Sequence, residues 1–313
     1  MLRYFTNRLI SVIPTLLVVS VVVFGLQQML PGDAATALAG EDMNPQVIEQ
    51  IRKAYHLDQP IAVQYGLWLA GILQGDLGQS LRNHVPVTRL IGEKLPATAL
   101  LSAMAMAWAL LIGVPAGIVA ALRKGGWPDH LANLVGLAGL SVPPFWLGLM
   151  LILFVSVKLG LLPASGYVSP LIDPRAALES LAMPSFVLGM SVAAVMMRHT
   201  RSAMATSMAA DYIRTARSKG LRERMVVLRH GLRNALVPLI TMVALQAGQL
   251  LAGAVLTEQV FTIPGFGRLI VDSVFTRDYA VVQGVVLVTA TIYVSLNLAA
   301  DVAYGVVDPR IRR

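Results

Sequence analysis

The chain has 313 residues, 56% of them hydrophobic and 13% charged, with a mean hydropathy of +0.68. A soluble domain carries about 25% charged residues, so the composition excludes an ordinary water-soluble globule. The net charge of +8 and pI near 10.0 do not make a nucleic-acid binder, because the basic residues flank apolar runs and lack interleaved aromatics. The absence of Cys removes disulfides and thiolate chemistry, and the five His residues have no metal-ligand spacing.

Apolar runs able to cross a hydrocarbon core of about 30 Å occupy 9–30, 97–122, 131–157, 181–197, 235–257 and 279–303. They predict an all-α integral membrane protein with six transmembrane helices and an extended outer segment after the first. The first run follows Arg3 and Arg8 and could be a signal peptide cleaved near Ala35-Thr36-Ala37. Its 22 residues exceed the roughly 7–15 of a signal core, so it reads as a retained helix.

In the outer segment Asn44 can cap a helix that opens at Pro45, with Val47, Ile48, Ile51 and Tyr55 at helical spacing. A second helix, predicted amphipathic, runs from Pro60 to about Leu73 with Tyr65, Leu67, Trp68 and Ile72. These helices either lie on the bilayer interface or build an outer vestibule that meets a delivery protein. The fourth run closes at Arg198 and His199, with a polar continuation to about Met208.

The loop 198–234 contains a helix-forming stretch, Asp211-Tyr212-Ile213-Arg214-Thr215-Ala216-Arg217-Ser218-Lys219, that ends at Gly220. A residue without Cβ there permits a left-handed exit. With Arg214, Arg217 and Lys219 beside it, this short helix is either gripped by a partner or rests on anionic lipid. In the fifth run Gln246 and Gln249 stand among small residues, and either line a wet cavity or hydrogen-bond a neighbouring helix. The stretch Glu258 to Leu269, with Phe261, Pro264, Gly265 and Gly267, reads as too broken for an ordinary helix and too apolar for a solvated loop. Such backbone is tolerated at membrane depth only where protein buries it or it lines a cavity, so it is expected to be an outer gate. Asn297 and Asp301 fall toward the inner end of the sixth run, away from the path.

Sixteen of the 25 Lys and Arg residues lie at the N-terminus, in 123–130, in 198–234 or at the C-terminus. The positive-inside rule therefore predicts both termini in the cytoplasm.

At the loop 198–234 the chain resembles the membrane subunits of ABC importers, whose general pattern there is E-A-A-x3-G-x9-I-x-L-P. Ala216, Gly220 and Leu232 match it, while Arg214, Thr215, His230 and Arg233 replace its Glu, first Ala, Ile and Pro. The version here, D-Y-I-R-T-A-R-S-K-G-L followed by R-H-G-L-R-N-A-L-V-P, is similar to the first permease subunit of the dipeptide, oligopeptide and nickel branch. Further matches to that branch are Leu30-Pro31-Gly32-Asp33, Leu57-Asp58-Gln59-Pro60, Gly75-Asp76-Leu77-Gly78, Leu95-Pro96-Ala97-Thr98, Thr257-Glu258-Gln259-Val260-Phe261, Pro264-Gly265-Phe266-Gly267-Arg268-Leu269, Arg277-Asp278-Tyr279 and Asp308-Pro309-Arg310-Ile311-Arg312. Ala280, where the branch often has Pro, is the one departure noted in these motifs.

The resemblance implies the type I ABC importer permease fold, divided into a tail and first helix (1–30), an outer periplasmic segment (31–96) and a core permease domain (97–313). It also implies a bacterial inner-membrane location among membrane lipid. The expected partners are a homologous second permease subunit, two ATPase subunits and a periplasmic substrate-binding protein. The helix from Asp211 to Gly220 becomes the coupling helix seated on an ATPase, with Gly220 permitting the turn and Ala216 keeping the contact close. This chain has no G-x4-G-K-[ST] loop, so it is expected to bind no cofactor, with ATP and Mg on the partner subunits. Di- or oligopeptides, including glutathione, are the expected cargo, and nickel or a metal chelate is the alternative. A stand-alone secondary transporter would need midplane carboxylates or repeated broken helices. An intramembrane protease would need a Ser and a His at one depth, and His199 at a basic helix end does not supply it.

Overall fold

The computed structural model describes residues 2–28, 44–54 and 57–307. The motifs at 30–33 and 308–312, Ala35-Thr36-Ala37 and Tyr55 lie outside the described residues, as do the side chains of Val47, Ile51 and Asp301. Among the described residues the chain is helical, with one isolated β-bridge between Gln79 and Pro86.

Helix α1 (Leu2–Gln28) is followed by two short helices, α2 (Pro45–Ala54) and α3 (Ile61–Leu73). Asn44 caps α2 as expected, its Oδ1 accepting the Gln46 N–H at 3.0 Å. Among the described residues four helices are long and apolar enough to cross a membrane: α4 (Val87–Leu122), α7 (Pro174–Met208), the stretch Glu223–Leu251 and the stretch Tyr279–Ala300. The stretch Glu223–Leu251 comprises α9 (Glu223–Met225), a π-helical stretch (Val226–Leu232) and α10 (Arg233–Gly253), and Tyr279–Ala300 belongs to α13 (Tyr279–Val307). In α1 the described apolar stretch is the shorter Ile10–Gly25.

The run 131–157, expected as one straight span, is bent by 95° between α5 (Trp127–Ser141) and α6 (Pro144–Leu151), the latter continuing into a π-helical stretch Ile152–Lys158. Val142-Pro143-Pro144 causes the break. Neither proline offers an N–H to the helix ladder, and each disfavours helical backbone in the residue before it. The fourth run does extend to Met208 and is the most deeply buried of the spans.

The core is the seam between α4 and α7. Ala105, Ala109, Gly113 and Gly117 recur every fourth residue on α4, and Ser185, Gly189 and Ala193 do the same on α7. A Cβ built on Gly113 would stand 2.6 Å from the Ala193 carbonyl oxygen, one on Gly117 2.6 Å from that of Met197, and one on Gly189 2.5 Å from that of Ala105. Lipid gives apolar side chains no reason to leave it, so spans associate by van der Waals packing, and small residues let the backbones close up. A second seam sets Gly248 of α10 against the Tyr293 ring of α13.

The spans leave two loop faces. One carries 123–126 and 209–222 and is rich in Lys and Arg; the other carries 74–86, 159–173, 261–265 and 276–278. At the basic face α5 is locked to α7 by a bidentate ion pair, Arg201 Nε to Asp129 Oδ1 at 2.5 Å and Nη2 to Oδ2 at 2.8 Å. Asp129 also accepts the Gly125 N–H and the Asn133 amide, so each carboxylate oxygen has two donors.

Replacing Gly117 by Leu is expected to cost at least about 1–3 kcal/mol through overpacking against Met197 and Thr200. Gly92→Ala on the same helix, where nothing lies within 4 Å, should be neutral or stabilising by up to about 1 kcal/mol. Thermal unfolding of the purified subunit in detergent compares the two, and equal midpoints would refute the seam as the close contact.

Candidate functional site

The helix anticipated in the basic loop is α8 (Asp211–Ser218), which follows α7 after only Ala209 and Ala210. Its end is the turn that the sequence indicates: Gly220 has φ +74°, with open space where a Cβ would stand. Ile213 and Ala216 face inward and pack with Val226, Met208 and Leu221. Tyr212 reaches back to α7, its hydroxyl 2.6 Å from Ser207 Oγ, which also donates to the Gly231 carbonyl at 2.9 Å. Arg217 is held in a fork by Glu223, at 3.1 and 2.6 Å, and that carboxylate raises the guanidinium pKa above its ordinary value.

These contacts divide the predicted coupling residues. Asp211, Tyr212, Arg214, Thr215, Arg217, Lys219 and Gly220 are exposed, and Arg214 pairs loosely with Asp211 at 3.6 Å. Ala216, expected at the partner contact, is buried against its own chain instead. Ile213, which the sequence reading did not single out, is fully buried there. On an eight-residue helix the three-residue spacing of Ile213 and Ala216 sets one apolar line inward. The remaining polar positions are left outside.

Gln246 and Gln249, expected to act together, are separated. Gln246 is buried within the chain, whereas Gln249, three residues later, is exposed.

The anticipated gate is more regular than its glycines and proline suggest. Glu258 lies in a helix, α11 (Val255–Val260), and Phe266 opens another, α12 (Phe266–Phe275). Between them Thr262 has φ +53°, and Phe261 and Ile263 are buried in the main core. The Glu258 side chain is fully buried. It accepts Thr98 Oγ1 at 2.5 Å and the Arg268 N–H at 2.8 Å, while Thr98 Oγ1 accepts the Phe266 N–H at 2.7 Å. The carboxylate thus meets the free N–H groups at the start of α12, where the helix dipole favours negative charge. Gly265 is required beside it, because a Cβ there would fall 2.2 Å from the carboxyl group. Gly267 is confined too, since a Cβ there would stand 2.9 Å from Val255 Cα. Pro264 is half-buried in the intervening turn.

A parallel anchor holds the turn before α4. Asp278, four per cent exposed, accepts Ser80 Oγ and the Leu81 N–H, the latter at 3.1 Å, at the start of α13. Leu77, Val87, Ile91, Phe266 and Val281 close over it as a second apolar cluster that also includes Ala280. The roles of Thr98, Ser80, Asp129 and Arg201 escaped the sequence reading. Their partners lie 72 to 198 residues away, and no local pattern links them.

Comparison with known proteins accords with this architecture. Residues 113–313 match the family described as binding-protein-dependent transport system inner membrane component, and residues 1–102 match the N-terminal region of such membrane components. The chain is 45% identical to the glutathione transport system permease protein GsiC of Pectobacterium atrosepticum, over 100% of this chain and 99% of that protein. It is 44% identical, with the same coverage, to that of Escherichia coli K12. Among solved structures, an inward-facing MetNI methionine ABC transporter matches with a TM-score of 0.56 at 19% identity. That match covers 70% of this chain and 96% of the other.

Thr98→Val removes one donor to Glu258 and the acceptor of the Phe266 N–H without changing volume. The expected loss is about 1–3 kcal/mol for each buried group left unpaired, and Thr98→Ser should restore most of it. Thermal unfolding of the two variants decides this; identical stabilities for Val and Ser would show that the network contributes nothing.

Proposed function

The chain belongs to the family of binding-protein-dependent transport system inner membrane components and is a permease subunit of an ABC importer of the dipeptide and oligopeptide branch; on that premise we propose that it conducts short peptides of the glutathione class. The observation that carries the cargo is the full-length similarity, at 45% and 44% identity, to two glutathione permeases.

Energy enters through α8. Its inner line, Ile213 and Ala216, seats it on the chain, and its exposed residues Asp211, Tyr212, Arg214 and Thr215 are free to meet an ATPase subunit. Arg217 is tied to Glu223 and stiffens the hairpin. ATP and Mg belong to two such partner subunits, a second permease completes the path, and a periplasmic binding protein delivers the cargo. The basic face, with both termini, lies in the cytoplasm, in keeping with the excess of Lys and Arg there. Gln249 borders the path between the two permeases, and Gln246 serves helix packing. The Glu258 segment is the outer gate, held shut or open as a unit because its carboxylate ties α11, α12 and α4 together.

Reconstituted with its partners, the transporter should show ATPase activity stimulated by glutathione on the binding protein; stimulation by nickel alone would overturn the cargo. A tag at the C-terminus should be reached only from the cytoplasm and one near residue 50 only from outside, and the opposite labelling would reverse the orientation. Cysteine at Gln249 should react with small aqueous thiol reagents and cysteine at Gln246 should not. Protection of position 249 in every nucleotide state would remove it from the path.

Gly220→Val imposes roughly 1–2 kcal/mol or more of left-handed backbone strain on a turn outside the spans. The complex should still assemble, since insertion depends on apolar length and flanking charge, but uptake per ATP hydrolysed should fall. Normal coupling in that variant would remove the turn from the mechanism.

A further inference from the structure

Helix α3 belongs to the segment expected outside the membrane, yet its faces are arranged the wrong way for water. The positions turned toward α1 include Gln64, Tyr65, Trp68 and Ile72, and the polar side chains of the helix are among them. Tyr65 Oη pairs with Ser20 Oγ at 2.8 Å, and Gln64 approaches Gln28 at 3.4 Å. Rings of Tyr65 and Trp68 each sit 5.5 Å from that of Phe24. The opposite face presents Ala62, Val63, Gly66, Leu67, Ala70 and Leu73, all exposed, with Leu67 at 48% and Leu73 at 80%. No Asp, Glu, Lys or Arg occurs between Ile61 and Leu73.

A helix lying on a bilayer keeps one strongly polar face toward water. This one turns its few polar side chains to α1 and leaves only an apolar face outward, and such a face needs lipid or protein about it. Its depth favours lipid. Ser20 lies eight residues inside the end of α1 at Gln28, about 12 Å along the axis at 1.5 Å per residue, and so within the hydrocarbon run. The exposed apolar residues of α1, among them Leu17, Val18, Val21 and Val22, give α3 an adjoining lipid-facing surface. At 13 residues α3 spans only about 20 Å, too short to cross. Its first turn lies at the end of α1, where Gln64 approaches Gln28, and the chain beyond its last turn is pinned by Asp278 at Ser80 and Leu81, so α3 enters and leaves at one face.

We propose that α3 is a re-entrant element embedded in one leaflet, its outward face against phospholipid acyl chains. The outer leaflet is meant, on the orientation proposed above; the embedding itself does not depend on that orientation or on the cargo.

The assembled transporter in bilayers, spin-labelled singly at Val63, Leu67 or Ala70 of this Cys-free subunit, tests the proposal by collision with oxygen and with a water-soluble nickel chelate. The ratio of oxygen to chelate accessibility should be several-fold higher at these sites than at Asp58 and Gln79. Chelate access equal to those controls would place the face in water, and shielding from both probes would assign it to a protein partner; either overturns the proposal. In the unmodified complex, phospholipids with a diazirine on the acyl chain should leave adducts on 62–73. Adducts on α1 without any on α3 would also overturn it.

Discussion

The close approach of α4 and α7 is the constraint on which the other features rest. Glycines at 113, 117 and 189 bring backbone against backbone, and this contact cannot be replaced by a larger apolar side chain, because lipid would solvate that side chain equally well. Both candidate regions hang from this pair. α7 passes into α8 at one end, and α4 supplies Thr98 to the Glu258 network at the other. The α4–α7 pair thus runs without a break from the α8 turn to the Glu258 network.

Three buried carboxylates fix the loops to that body. Asp129 joins α5 to α7, Glu258 joins α11 and α12 to α4, and Asp278 joins the turn at Ser80 to α13. Each is met by several donors, and that makes a buried charge tolerable. None has a lone partner whose loss could be absorbed by water. The anchors also satisfy backbone N–H groups in segments rich in Gly and Pro, as burial near membrane depth requires.

Helix α8 works by a division of its own surface. Ile213 and Ala216 commit one line to the chain, Tyr212 and Arg217 are tied to Ser207 and Glu223, and Asp211, Arg214, Thr215 and Lys219 stay exposed. The sequence pattern pointed to the helix and to the turn at Gly220, because both are local properties of propensity and backbone conformation. It does not reveal that Ala216 is buried against its own chain, since spacing alone does not say which side of a short helix another element will cover.

Contiguous residues suffice for the all-helical membrane class, for the places of the four long apolar helices and for the glycine turn after α8, because apolar length, flanking charge and the left-handed tolerance of glycine are local properties. The break at Val142-Pro143-Pro144 was also written there, although a count by hydropathy passes over it. The fold alone settles that Gln246 is buried and Gln249 exposed, that Thr98 serves Glu258, that Asp129 meets Arg201, and that α3 turns its polar side chains toward α1. Those facts depend on which helix faces meet across 45 to 160 residues of chain, and in a membrane no gradient of polarity along the sequence announces which face that will be.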